Sequence, residues 1–204
     1  CCGMPKLELG DLESVEKAKQ ANIPVLAALV DQGYDLTALV PSCVLMYKQE
    51  LPLMFPDDPD VIKVQQAFYD PFEYLWLRHK GGAFNTEFNA ELGDISYQVA
   101  CHLRVQNIGM KARDILNLVP GTKVQPIERC SGHDGTYAVR KETHAKSVKI
   151  AKPVVRQVDQ QKADYFSSDC PMAATHIGNL SEHAGQPQHP ITLLRLAYGL
   201  PTME

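Results

Sequence analysis

Between Gly10 and Gly33, Leu12, Val15, Ala18, Leu26, Leu29 and Val30 recur at helical spacing. That stretch therefore reads as an amphipathic helix. Pro24 is expected to kink or split it, and Gly33 suits the position after its last turn. Leu36 to Val40 (L-T-A-L-V) reads as a short buried strand. It runs into Pro41-Ser42-Cys43 and a second helical stretch ending near Gln49. Asp70-Pro71 marks a helix start, with Asp70 as N-cap and proline in the first turn. That helix is expected to reach His79, and Gly81-Gly82 ends it.

Glu87 to Asp94 is polar and carries the expected boundary between two halves, residues 1–90 and 91–204. Ile95 to Ala100 alternates as I-S-Y-Q-V-A and predicts a strand running straight into Cys101-His102. A helix is expected over about Gly109 to Leu118, closed by Pro120-Gly121. Lys123 to Ile127 is the next strand and stops just before Cys130. Glu142 to Gln161 is helical, with a break expected at Pro153. Asp164 to Ser167 is a brief strand before Cys170, and Pro171 suits the first turn of the helix that follows. Gly185 to Pro190 is loop-like, and Ile191 to Ala197 is the last helix. Strands alternating with helices argue for an α/β fold with mainly parallel sheets.

Composition narrows the function classes. The chain has 204 residues, 45% of them hydrophobic and 22% charged, with a net charge of −4. That suits one large or two small globular domains. A modest basic cluster from Arg140 to Lys152 is too weak to imply nucleic acid as a partner. No apolar run approaches the roughly 18 residues of a membrane span. There is no G-x-S-x-G, phosphate-binding loop or G-x-G-x-x-G, so hydrolase and nucleotide-binding chemistry lack support. The six cysteines do not follow a compact disulfide framework. Reduced thiols in a cytoplasmic setting are expected. The chain opens on Cys1 rather than methionine. The absence of a polar tether after it favours a fragment over a lipidated terminus.

Cys101, Cys130 and Cys170 each follow a predicted strand. The carboxyl ends of parallel strands share one edge, and ligands bind there. Three soft thiolates at one edge suit an iron–sulfur cluster, zinc or copper(I). Helix starts after Cys43 and Cys170 would favour the ionised thiol. The first half follows the same order: a cysteine-glycine turn at Cys1-Cys2-Gly3, a long helix, a short strand, then Cys43. Against this stands the plain role of a buried cysteine as a small core hydrophobe. No C-x-x-C is present. His102 and His133 flank the site and are candidate ligands or hydrogen-bond donors. His79, His144, His176, His183 and His189 are expected at the surface.

The segment C-S-G-H-D-G-T-Y-A-V-R-K-E, Cys130 to Glu142, resembles the CCG cysteine-rich domain. That domain occurs in the B subunit of heterodisulfide reductase and in the C subunit of anaerobic glycerol-3-phosphate dehydrogenase. The likeness is nearer to the dehydrogenase protein in D-P-F-E-Y-L-W-L-R-H (Asp70 to His79), A-C-H (Ala100 to His102) and H-P-I-T-L-L (His189 to Leu194). It covers almost the whole chain in order. The resemblance implies two pseudo-repeated CCG half-domains, cysteines at the carboxyl strand ends, and a preceding ferredoxin-like segment with two [4Fe–4S] clusters.

Each such domain contributes an upstream cysteine, a C-C-G and a C-x-x-C. Cys101 matches the upstream cysteine and Cys130 the first of C-C-G, with Ser131 in place of the second. Cys170 matches the start of C-x-x-C, with Ala173 in place of its partner. Cys1 and Cys2 match C-C-G, and Cys43 the second cysteine of C-x-x-C, with Val40 in place of the first. The full five-cysteine set is thus depleted. Three cysteines could hold a [4Fe–4S] cluster with one iron open or bound by His102 or His133. They could hold a [3Fe–4S] cluster, or the scaffold alone could persist.

The role implied is iron–sulfur electron transfer from a flavin dehydrogenase subunit, or another redox protein, toward the membrane quinone pool. Such a protein would be cytoplasmic or peripheral on the inner face of the membrane. The competing expectation is a non-redox interaction scaffold with structural zinc or no metal. A thiol–disulfide enzyme using Cys1 and Cys2 is a weaker third.

Overall fold

The computed structural model describes residues 1–200. The chain divides into two compact units, Cys1–Tyr74 and Leu75–Glu204. Each carries a parallel sheet, of two strands in the first and three in the second, so the fold is α/β.

In the first unit, α1 (Met4–Leu7) leads to α2 (Leu12–Asp31). Asp11 caps α2, its carboxylate accepting from the Ser14 N–H at 3.2 Å. Val15, Ile23 and Ala27 bury the inner stripe of α2. The expected split at Pro24 does not occur, and α2 runs through it. Proline removes one helical donor. Here both Pro24 and Gln20, whose carbonyl loses that donor, lie on the exposed face where water can replace it.

The strand expected over Leu36 to Val40 is shorter: β1 is Leu36–Thr37. Pro41 fits the opening turn of a helix, and α3 (Pro41–Leu45) begins there. It continues as a π-helical turn (Met46–Glu50) into α4 (Leu51–Met54). Next come α5 (Pro59–Ala67), which the hydrophobic pattern did not reveal, and β2 (Phe68–Tyr69), paired parallel to β1. Val44, Met46, Leu51, Val61, Val64 and Phe68 close the core of this unit. Helix α6 (Pro71–Lys80) starts as expected, the Asp70 carboxylate accepting from Phe72 N–H at 2.9 Å.

In the second unit, β3 (Asp94–Gln98), α7 (Cys101–Arg104), α8 (Lys111–Leu116), β4 (Lys123–Ile127), α9 (Lys141–Gln161), β5 (Tyr165–Ser168), α10 (Pro171–Leu180) and α11 (Pro190–Ala197) follow in order. The strand order is β4-β3-β5, all parallel. The central strand does not show the expected inside–outside alternation. Ile95, Ser96, Tyr97 and Gln98 are all buried, because helices cover both faces of a parallel sheet. Helix α8 packs on β4, and α9 and α10 pack with β3 and β5. Ile127, Ala151, Val154, Val158, Phe166 and Ile177 form one core between them.

The break expected at Pro153 is also absent. Pro153 and Lys149 both face solvent, as at Pro24, and α9 is continuous. Of the two outer strands, β4 contains Pro126, and β5 is bridged at Ser167 by Gln188. Among the described residues no helix is long and apolar enough to cross a membrane.

Candidate metal centre

The register of the three-stranded sheet determines where the cysteines fall. Gln98 pairs with Ile127 on one side and Ser168 on the other. Cys101 and Cys130 therefore lie three residues past their paired strand ends, and Cys170 two past its own. All three emerge at the carboxyl edge, where α/β sheets bind ligands. The strand does not run directly into Cys101 as expected: Val99 and Ala100, both buried, intervene. Cys101 then opens α7, and Cys170 caps α10.

Buried polar side chains hold this edge together. Gln98 is fully buried. Its amide N–H groups donate to the Val99 carbonyl at 2.9 Å and the Arg129 carbonyl at 3.1 Å. Its amide oxygen accepts from Ser168 Oγ at 2.8 Å, and Ser168 Oγ accepts from the Cys170 N–H at 3.3 Å. One side chain thus ties the residue before Cys130 to the residue that fixes Cys170. Beside it, the Tyr97 hydroxyl donates to Asp169, which precedes Cys170. Neither Gln98 nor Ser168 stands out in the sequence. A glutamine in the predicted strand I-S-Y-Q-V-A, just ahead of Cys101, is the one signal that could have found them.

Each sulfur meets hydrogen-bond donors. The Gly132 N–H donates to Cys130 Sγ at 3.4 Å, and an Arg104 guanidinium nitrogen lies 3.8 Å from Cys101 Sγ. Burial pushes the Cys170 thiol up, and the backbone N–H groups of Ala173 and Met172 offset only part of that rise. Negative charge on Cys101 and Asp169 would raise it further. Cys101 and Cys130 are exposed and Cys170 half-buried, so the edge is open to a ligand.

Among the described residues, no three His, Cys, Asp or Glu side chains gather tightly enough for a single metal ion. The donor chemistry fits a larger thiolate-bound group, with sulfurs on three separate strand ends and backbone N–H groups turned to two of them.

Ser131 and Ala173, which stand where the domain pattern has cysteines, are both buried. His102 is half-buried in α7, and His133 is buried beside Ser131. His176, expected at the surface, is buried as well: α10 turns it toward α9, where Ser147 meets it. His144 is exposed, and His189 caps α11.

In the first unit Cys2 is buried, Cys43 half-buried and Cys1 exposed. The Cys2 and Cys43 thiols share a side-chain hydrogen bond. That hydrogen bond is the largest cause holding Cys43 down at about 6, and it pushes Cys2 well above the ordinary thiol range. Cys43 does not precede its helix as expected but sits in the first turn of α3, because Pro41 starts that helix earlier. Gly3 adopts a left-handed conformation, φ 100°, that turns the chain between Cys2 and α1. The structure brings Cys2 and Cys43 together, and Cys1 is exposed, its carbonyl accepting from the Asn22 side-chain amide at 2.9 Å.

Residues 95–178 match the cysteine-rich domain family, CCG. Along most of its length the chain is similar to the C subunit of the anaerobic glycerol-3-phosphate dehydrogenase of Escherichia coli strain K12, at 26% identity over 97% of this chain and 49% of that protein. It is similar to the B subunit of the fumarate reductase (CoM/CoB) of Methanothermobacter marburgensis, at 24% identity over 97% of this chain and 38% of that protein. It is also similar to lactate utilization protein A of Bacillus cytotoxicus, at 28% identity over 91% and 77%. The chain spans about half the length of the Escherichia coli relative. Two of the three are, by name, subunits of a dehydrogenase and a reductase.

Proposed function

Because residues 95–178 carry a CCG cysteine-rich domain, we propose that this chain is part of an iron–sulfur electron-transfer subunit of an anaerobic-type oxidoreductase complex. The carrying observation is the register that sets Cys101, Cys130 and Cys170 past three adjacent parallel strand ends. These three would hold one cluster of the [4Fe–4S] type, with His102 or His133 as candidates for an iron left without a thiolate. Cys1, Cys2 and Cys43 would serve a second centre in the first half, and residues 1–90 and 91–204 would be the two repeated CCG domains. When bound, such a cluster supplies one-electron transfer at thiolate-bound iron.

The chain's own residues prepare the site. Arg104 and the N–H groups of Gly132, Met172 and Ala173 stabilise negative charge on sulfur. Gln98 and Ser168 hold the strand ends in register. Tyr97 fixes Asp169 under the Cys170 turn. The nearest physiological reading, by likeness to the dehydrogenase and reductase proteins, has electrons arriving from a flavin dehydrogenase subunit or other redox protein and leaving toward the quinone pool. The protein would then lie in the cytoplasm or against the inner face of the membrane.

One observation favours a second reading, a non-redox scaffold with structural zinc or no metal. Ser131 and Ala173 are packed into the core, so the positions where the pattern has cysteines serve folding here.

The experiment that separates the readings is iron, zinc and acid-labile sulfide per chain, with an EPR spectrum, on the full protein purified without oxygen. The same is done for Cys101→Ser and Cys130→Ser. Iron–sulfur signals lost in both variants are the expected result. Zinc alone, or spectra indifferent to both substitutions, would establish the scaffold.

A further inference from the structure

Gly132 lies directly on α9. Its φ is +76°, and a Cβ there would overlap the Ser147 carbonyl oxygen and stand 3.2 Å from the Ala151 nitrogen. Only glycine lets the C-S-G-H turn approach the helix this closely. Ser147 is fully buried beneath it, and its Oγ donates to the Gly132 carbonyl at 2.6 Å. A serine hydroxyl has one proton. With that proton given to Gly132, Ser147 Oγ must accept from His176 Nε2, 2.8 Å away, so the ring proton of His176 belongs on Nε2. Burial first, then the charges of His133 and His144, hold His176 below the usual imidazole range, which favours this neutral form. Across the same glycine, the Gly132 N–H donates to Cys130 Sγ at 3.4 Å.

We propose that Ser147 and His176 are positioning residues for the Cys130 sulfur: the chain from His176 through Ser147 to Gly132 fixes the turn so that the Gly132 N–H stays aimed at Cys130. The proposal takes Cys130 as a ligand and so rests on the iron–sulfur reading, but the hydrogen-bond chain is set before any metal arrives. An N–H held in a hydrogen bond is protected from exchange with solvent. Losing that aim should therefore release the Gly132 N–H and speed its exchange.

The test uses the full chain stripped of metal without oxygen and labelled at its glycine nitrogens. NMR gives the hydrogen-exchange rate of the Gly132 amide relative to that of the exposed Gly135 in the same turn. Ser147→Ala and His176→Leu should each raise this ratio about fivefold, the size of one hydrogen bond. His176→Gln can still donate an N–H to Ser147 and should return it to within about twofold of the parent.

An unchanged ratio in folded Ser147→Ala and His176→Leu overturns the proposal. An equal rise in His176→Leu and His176→Gln also overturns it, since that result means packing alone. If Ser147→Ala does not fold, the histidine pair decides. Absence of bound iron and sulfide in the parent would defeat the iron–sulfur reading, whereas the exchange ratio reports on the positioning chain independently.

Discussion

Gln98 shows how one residue can hold a site it does not enter. It fills a fully buried position in the central strand, yet both ends of its amide are used. An apolar replacement of similar size keeps the packing but leaves the Ser168 hydroxyl without its acceptor and the Arg129 carbonyl without this donor. Stranding buried polar groups costs about 1–3 kcal/mol. Gln98→Leu should therefore lower stability by about 2–3 kcal/mol in urea unfolding. A change below about 0.5 kcal/mol would mean that the network is not holding the strand ends together. At this scale the sequence was only partly legible. Cys101, Cys130 and Cys170 could be placed at one edge because each follows a strand. Ser147 and His176 could not be paired, because their meeting depends on how α9 and α10 pack, and nothing in their local sequence carries that.

Among the elements, those bounded by clear turn residues were the most legible. Lys123–Ile127 has the expected bounds because Pro120-Gly121 precedes it and a polar stretch follows. Helix α5 was missed, although Asp58-Pro59 carries the same start signal as Asp70-Pro71. Its carboxylate accepts from the Val61 N–H at 3.2 Å, as a cap should. The pattern failed there because α5 spans only nine residues, too few for its buried positions to show a period. The two prolines misled in the other direction, since a helix tolerates proline where the freed carbonyl meets water. That tolerance still leaves a cost. Pro153→Ala restores the missing donor on an exposed face and should stabilise the chain by about 2 kcal/mol, measured as a higher urea midpoint. A lower midpoint would show that Pro153 bends α9 to a shape the core requires.

For the molecule as a whole, each unit closes its own core around parallel strands, two in the first and three in the second. The α/β class was legible because strands and helices alternate along the chain. The difference in strand number was not, since β1 and β2 have two residues each and leave no pattern to read. A three-stranded sheet has two outer edges, and an open edge is a template for another chain. In β4, Pro126 removes a backbone donor. In β5, Gln188 occupies the bridge at Ser167. The protein should therefore stay dispersed, without recruiting neighbouring copies strand to strand. Pro126→Val should weaken that guard and raise light scattering of the chain on standing, whereas equal scattering would place the protection elsewhere. The consequence reaches beyond solubility: on the iron–sulfur reading proposed above, a chain without its cluster would wait, unaggregated, for one to be built.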